Sequence, residues 1–201
     1  MTTALRECER LARDEGLAAG LAAAVADTEV AATAPGRFAA VPARSVPDGA
    51  PVRRHRVADH EGVVFLETPG SPDGATGAAD ALLAVGRRLA AVRIGLTRRL
   101  LDQAVEHLSG RLAGDEPLIR KQLVVGAVAD TVAELELLRE QILAPDDPVA
   151  VADAHGRLDD LGWEVLKLFG AAGYIADHPA RALHVSVLVG NTWVVRDGGP
   201  A

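Results

Sequence analysis

Three stretches of the chain place leucine, valine and isoleucine at alternating spacings of three and four, the period of one helix face. From Asp80 onward Leu82, Val85, Leu89, Val92 and Leu96 form such a seam, with Arg87, Arg88, Arg98 and Arg99 mostly off it. The spacing predicts a helix of about eight turns, ending near Arg111. Val125, Val128, Val132, Leu135, Leu138 and Ile142 carry a second stripe. Asp115-Glu116-Pro117 reads as its start, because acids favour a helix N-terminus, and Pro145 as its end. Asp146-Asp147-Pro148 starts a third helix, whose stripe of Val151, Ala154, Leu158, Leu161, Val165 and Leu168 runs to Gly170. A short apolar helix over residues 180–189 follows Gly173-Tyr174 and His178-Pro179. The pattern predicts a mainly α protein built as an antiparallel up-and-down four-helix bundle.

The leading part of the chain is patterned differently. Residues 4–27, rich in Ala and Leu, read as one helix interrupted near Gly16 and Gly20, each glycine weakening it by about 1 kcal/mol relative to alanine. From Ala34 to Ala58 Pro, Gly and Arg dominate; the apolar run from Gly62 to Glu67 predicts one or two short strands, and a second Pro/Gly stretch reaches Gly77. The expected organisation is an N-terminal helix and Pro/Gly-rich appendage over 1–77, a helical bundle over 78–195 and a flexible tail over 196–201.

Composition narrows the function. Hydrophobic residues make up 49% of the 201 but aromatics only 3%, so Ala, Leu and Val must fill the core, which suits packed helices. A net charge of -7 argues against a sequence-independent grip on nucleic acid, which needs a surplus of Lys and Arg. The lone cysteine, Cys8, has no internal partner for a disulfide. Glu7, Glu9 and Asp14 stand where a signal peptide would be basic and then apolar, and no run approaches the roughly 18 apolar residues of a membrane span. A cytoplasmic protein is expected.

Two short motifs carry a family resemblance. Arg111-Leu-Ala-Gly-Asp-Glu-Pro117-Leu118 with Gln122 is similar to the segment Arg-x-Gln-Phe-Gly-x-Pro-Leu-x-x-x-Gln of acyl-CoA dehydrogenases, between the first two helices of their C-terminal domain. Leu168-Phe-Gly-Ala-Ala-Gly-Tyr174, with His178-Pro179 and Gly190-Asn-Thr192, resembles the Gly-Gly-x-Gly-Tyr turn, Pro and closing Gly-Thr of the same family. The resemblance spans about residues 80–195. It implies flavin adenine dinucleotide (FAD) lying between subunits, with contacts falling to Arg111, Gln122, Gly170, Gly173 and Thr192, and therefore a homo-oligomer or a hetero-oligomer with a full-length acyl-CoA dehydrogenase-like subunit. A guanidinium can pair with two phosphate oxygens, and an amide can both donate to and accept from adenine. An arginine at a helix end also stabilises the helix dipole, and a glycine-rich turn also ends a helix, so scaffold roles stand beside these.

The departures from the family matter equally. Gly114-Asp115 replaces its Phe-Gly, removing a ring and bringing a carboxylate towards the expected phosphates. The family's base, a Glu that removes the proton alpha to a thioester, would stand at Val189 or near Val85 and Gly86, and none of these is a carboxylate. Seventy-odd leading residues are also too few for both the helical and the β domain that complete a flavin pocket in the family.

Other candidate chemistry is thin. The histidines lack a close His or Cys partner, so no metal site is expected. Asp159-Asp160 and Asp146-Asp147 read as solvated helix faces or caps, Arg53-Arg-His-Arg56 as a short basic tetrad able to hold a phosphate, and Cys8 as a small, partly buried side chain near Arg6 and Arg10. Three readings remain open: a shortened subunit that contributes to FAD-dependent oxidation of an acyl thioester beside a full-length partner that supplies the base; a flavin-independent biosynthetic enzyme (cyclisation, elimination or isomerisation) on a remodelled bundle; and a non-catalytic interaction subunit.

Overall fold

A computed structural model describes residues 3–69, 78–143 and 147–195. The tail expected over 196–201, and the helix boundary residues Pro145 and Asp146, lie outside the described residues. The chain opens with two helices, α1 (Thr3–Glu15) and α2 (Leu17–Val25). The predicted break falls at Gly16, whose φ of 100° is a conformation that other residues resist. Gly20, the second expected interruption, instead lies inside α2: a Cβ there would stand 2.7 Å from that of Ala12, so it lets the two helices touch. Arg99 Nη1 closes the end of α1 by donating to the carbonyls of Arg13 and Asp14 at 2.9 and 2.8 Å.

A short helix α3 (Val30–Thr33) leads into strand β1 (Phe38–Pro42), a 3-10 turn at Ala43–Ser45, strand β2 (Val52–Arg53), the one-turn helix α4 (Arg56–Asp59) and strand β3 (Val63–Glu67). The strands form an antiparallel sheet in the order β1-β3-β2, with Ala40 opposite Phe65 and Val52 opposite Leu66. The apolar run after Gly62 is the central strand; its partner β1 is alanine-rich and carries no strand signature.

The long helices are α5 (Ala78–Ser109), α6 (Gln122–Gln141), α7 (Pro148–Leu168) and α8 (Arg181–Trp193). Between α5 and α6 the chain forms a two-stranded hairpin, β4 (Leu112–Ala113) with β5 (Glu116–Pro117), and a 3-10 turn at Leu118–Arg120. The second helix therefore begins at Gln122 and not at Asp115, because Gly114 takes a φ of 70° and turns the chain back on itself. Asp147 accepts from the Val149 amide at 2.9 Å and caps α7, as expected of it.

α5 is the central element. It packs against α1, α2, α6, α7 and α8, and one apolar cluster unites Leu5, Leu17 and Leu21 of the first two helices with Leu89, Ile94, Leu158, Val165 and Val185. Gly95 makes the closest approach, since a Cβ there would lie 2.1 Å from the Glu9 carbonyl oxygen of α1. Arg139 of α6 reaches α1 with a two-pronged ion pair to Glu9. The second stripe is only half used: Leu135, Leu138 and Ile142 are buried, whereas Val125 is half exposed and Val128 only partly covered.

Candidate functional site

The two resemblance motifs meet at the C-terminal end of α5. Arg111 directly follows that helix, is exposed, and donates from Nη1 to His107 Nε2 at 3.3 Å. Its carbonyl accepts from the Leu118 amide at 2.8 Å, which closes the β4–β5 hairpin and sets Gln122, also exposed, at the first turn of α6. Lys121 Nζ binds Glu116 across the hairpin at 2.7 Å and holds that carboxyl below its ordinary range.

The second motif arrives through Phe169. This buried ring lies 5.8 Å from the His107 ring and 4.8 Å, edge to face, from His178. The 3-10 turn Gly170–Tyr174 follows at once, with Gly170 at φ 59° and Gly173 buried so closely that a Cβ would sit 2.7 Å from the Leu166 carbonyl oxygen. Arg111, His107, Phe169 and the Gly170–Tyr174 turn are thus one connected chain of contacts.

Apolar side chains surround this end and stand largely open. Leu112 is 67% exposed and Leu123 89%. Tyr174 and Ile175, each more than half exposed, continue the surface, with the Tyr174 ring 6.2 Å from that of Trp163.

Thr192 does not join the group. Its hydroxyl accepts from the Ala40 amide at 3.0 Å and donates to the Val189 carbonyl at 2.9 Å, while Trp193 Nε1 donates to the Ala40 carbonyl at 2.8 Å. These bonds fasten the end of α8 to β1. Trp193 also lines a cavity of about 160 Å³ with Leu82, Leu83, Gly86 and Val151. Gly86 lies about 35 Å along α5 from Ser109, so this cavity and Arg111 are at opposite ends of that helix. Val85, Gly86 and Val189, where the resemblance would put a base, are buried and bring no carboxylate to it.

A polar centre that the sequence did not announce sits between α5 and α7. Arg93, 1% exposed, donates from Nη1 to the His155 carbonyl at 3.1 Å and to His155 Nδ1 at 2.9 Å, and from Nη2 to Asp159. A guanidinium only donates, so His155 Nδ1 must be an acceptor. The imidazole is then neutral, with its proton on Nε2, which donates to the Gly86 carbonyl at 3.0 Å. Asp159 is therefore one arm of a buried network and not part of a solvated face. The available signal was His155 and Asp159 at i and i+4 on the apolar side of the third stripe, facing Arg93, the charged residue buried in the first.

The remaining candidates are placed apart. Arg53 and Arg37 flank the Phe38 ring at 5.9 and 5.7 Å, while His55 accepts from the Ala58 amide and caps α4, so the basic tetrad is divided between a strand and a helix cap. Cys8 is 1% exposed, and burial pushes its thiol up to about 11 against a smaller opposing pull from Arg88. Among the described residues no three His, Cys, Asp or Glu side chains are grouped to hold a metal, and no helix is long and apolar enough to cross a membrane.

Comparison with known proteins meets this geometry. Residues 73–144 match the model of the acyl-CoA dehydrogenase C-terminal domain, the stretch that holds α5, the hairpin and α6. No curated protein matches the sequence. Butyryl-CoA dehydrogenase from Megasphaera elsdenii is similar in fold at 19% identity and a TM-score of 0.56, over 74% of this chain and 46% of that one. A structure described as an FAD-dependent dehydrogenase gives 22% identity and a TM-score of 0.53, over 73% and 48%. The ChsE4-ChsE5 complex from Mycobacterium tuberculosis gives 20% and 0.54, over 72% and 44%. The chain thus spans under half the length of these solved structures. Residues 73–144 are thus similar in sequence to the acyl-CoA dehydrogenase C-terminal domain, and the chain has the helical fold of these solved structures.

Proposed function

We propose that the chain is an acyl-CoA dehydrogenase-like subunit that contributes the Arg111 hairpin and the Gly170–Tyr174 turn to a flavin site shared with a full-length partner. The observation that carries this reading is the contact from His107 to Phe169, which joins the two motifs at one exposed end beside uncovered apolar side chains. The residues fit part of such a site. Arg111 and Gln122 are exposed and able to meet a pyrophosphate and an adenine, whereas Gly173 is buried against the Leu166 carbonyl and shapes the turn from within. They do not supply a base, since Val85, Gly86 and Val189 are apolar and buried, so the carboxylate that removes the proton alpha to the thioester belongs to the partner in this reading. Bound flavin would supply the two-electron acceptor for oxidation of the thioester. A cytoplasmic heteromer is the setting that this implies.

The test is recovery of the full tagged chain from its own cells, with flavin measured by visible absorbance after gel filtration. The expected product is a yellow complex with a longer acyl-CoA dehydrogenase-like chain, from which Arg111→Ala removes flavin without removing the partner. A chain that elutes alone, and stays colourless with excess FAD, would overturn the proposal. That result would favour the flavin-free enzyme reading, which draws on the apolar filling of both base positions.

A further inference from the structure

The N-terminal sheet and the helices beside it form a second, half-open cavity of about 450 Å³, remote from the Arg111 end and outside the matched residues 73–144. Its walls include Ala22 and Val25 of α2, Ala31 of α3, Val41 of β1, Val46 of the loop between β1 and β2, and Leu66 of β3, with Val30 beside Ala31. The lining side chains are mostly aliphatic, and the polar ones among them are Thr28, Glu29 and Ser45.

Three comparisons single this cavity out. Pockets that hold small organic ligands occupy about 300–1,000 Å³ and are mostly apolar with a few convergent polar groups. The cavity at Trp193 is smaller, about 160 Å³. A groove of similar size between α1 and α6 is lined by arginines already engaged by carboxylates, Arg10 by Glu7 and Arg139 by Glu9. Close packing normally removes an aliphatic hollow of this kind, yet here Val30, Val46 and Leu66 remain only partly covered.

These three residues define the polar end of a ligand. The Glu29 carbonyl accepts from the Ala32 and Thr33 amides, whereas its carboxylate is exposed and has no hydrogen-bond or ion-pair partner among the described residues. Thr28 Oγ1 accepts from Arg88 Nη2 at 3.4 Å. Glu29 is the one charged residue among the described residues of the lining, to which Arg88 does not belong, so a head group that donates hydrogen bonds suits the site better than an acid. The walls offer no ring for a planar base to stack upon.

We propose that this cavity binds a small aliphatic molecule with one hydrogen-bond-donating head, a hydroxyl or an ammonium, its tail between α2 and β3 and its head at Glu29. The site is independent of the flavin reading and needs no partner chain.

The test uses methyl-labelled full-length protein and three probes with one tail: 1-octanol, octylammonium and octanoate. Saturable shifts are expected at the Val25, Val30, Val41, Val46 and Leu66 methyls with the alcohol and the amine, and weaker ones with the acid. Ala31→Leu and Ala22→Leu, which fill the cavity from two helices, should each weaken octanol by at least about tenfold, the scale of a hydrophobic pocket altered by a methylene or more. Glu29→Gln should weaken octylammonium by about two- to fivefold, as for an exposed ion pair, and leave octanol unchanged. Circular dichroism confirms that each variant is folded, and Glu29→Gln is exposed enough to serve if a filling variant is not. No saturable shifts at these methyls, or octanol binding indifferent to both filling variants, would overturn the site. Octanoate binding as tight as octylammonium would overturn the assignment of its head group.

Discussion

Gly95 and Gly126 receive the same substitution, to alanine, with opposite expected signs. Both lie inside long helices, where alanine is favoured over glycine by about 1 kcal/mol. At Gly126, on α6, an added Cβ meets nothing within 4 Å, so the whole of that preference is realised. At Gly95 the Cβ would stand 2.1 Å from the Glu9 carbonyl oxygen and 2.9 Å from its carbon, both backbone atoms of α1. An ordinary contact needs about 3.5 Å, so α1 must retreat by more than about 1 Å. Leu5, Cys8 and Ala12 would lose contact with α5, and Glu9 would be drawn away from Arg139. Overpacking of a core costs about 1–3 kcal/mol, and more when backbone has to move, so after the helix preference the net loss is at least about 2 kcal/mol. For a chain of this size 1 kcal/mol moves the melting midpoint by about 2–4 °C. Gly95→Ala is expected to melt at least about 4 °C lower and Gly126→Ala about 2–4 °C higher, by circular dichroism at matched concentration. A Gly95→Ala protein as stable as Gly126→Ala would refute the apposition of α1 on α5.

Arg93→Leu should cost about 3 kcal/mol in urea denaturation, because it leaves Asp159 and His155 without their donor, and the double variant Arg93→Leu/Asp159→Leu should recover part of the loss. Cys8 should resist thiol reagents at pH 8 in the native protein and react fully in urea. Because burial raises its value from 9.0 to about 11, the stability it contributes is present below pH 9 and declines between about pH 9 and 11, which Cys8→Ala should abolish. His178 is lowered from 6.5, first by burial and then by His107 and Arg181, so the unfolded chain takes up its proton first as pH falls. Its contribution is therefore present above pH 6.5 and lost below, and His178→Asn should flatten the denaturation midpoint between pH 7.5 and 5.5.

The legibility of the chain follows from where each signal resides. The first and third stripes were readable because a helix buried along its length repeats the same demand every three or four residues, as Leu89, Val92 and Leu96 do. The second stripe misled in its first half: Val125 obeys helical spacing yet faces outward, and spacing cannot tell a face that meets the core from one that does not. The hairpin at 112–117 was hidden because acids and a proline also begin helices, and only the backbone at Gly114 decides between the two. Strand β1 was missed because Phe-Ala-Ala-Val-Pro is alanine-rich, and its place is decided by β3 and α8 rather than by its own preferences. Arg111 and the 170–174 turn could be picked out as motifs, but their meeting through His107 and Phe169 joins residues 62 apart in sequence and belongs to packing alone.

The clamp that Thr192 and Trp193 place on Ala40 has a consequence for synthesis. The tryptophan bond closes a loop of 153 residues, and it sits in the middle of β1. On the ribosome α1, α2 and the sheet emerge before α8, so the backbone of β1 waits for partners made 153 residues later. Until they appear, the Ala40 amide and carbonyl are an open strand edge of the kind that recruits other chains. The nascent protein is thus vulnerable until α8 is made, and slowing elongation over α8 should raise aggregation more than slowing it beyond α8.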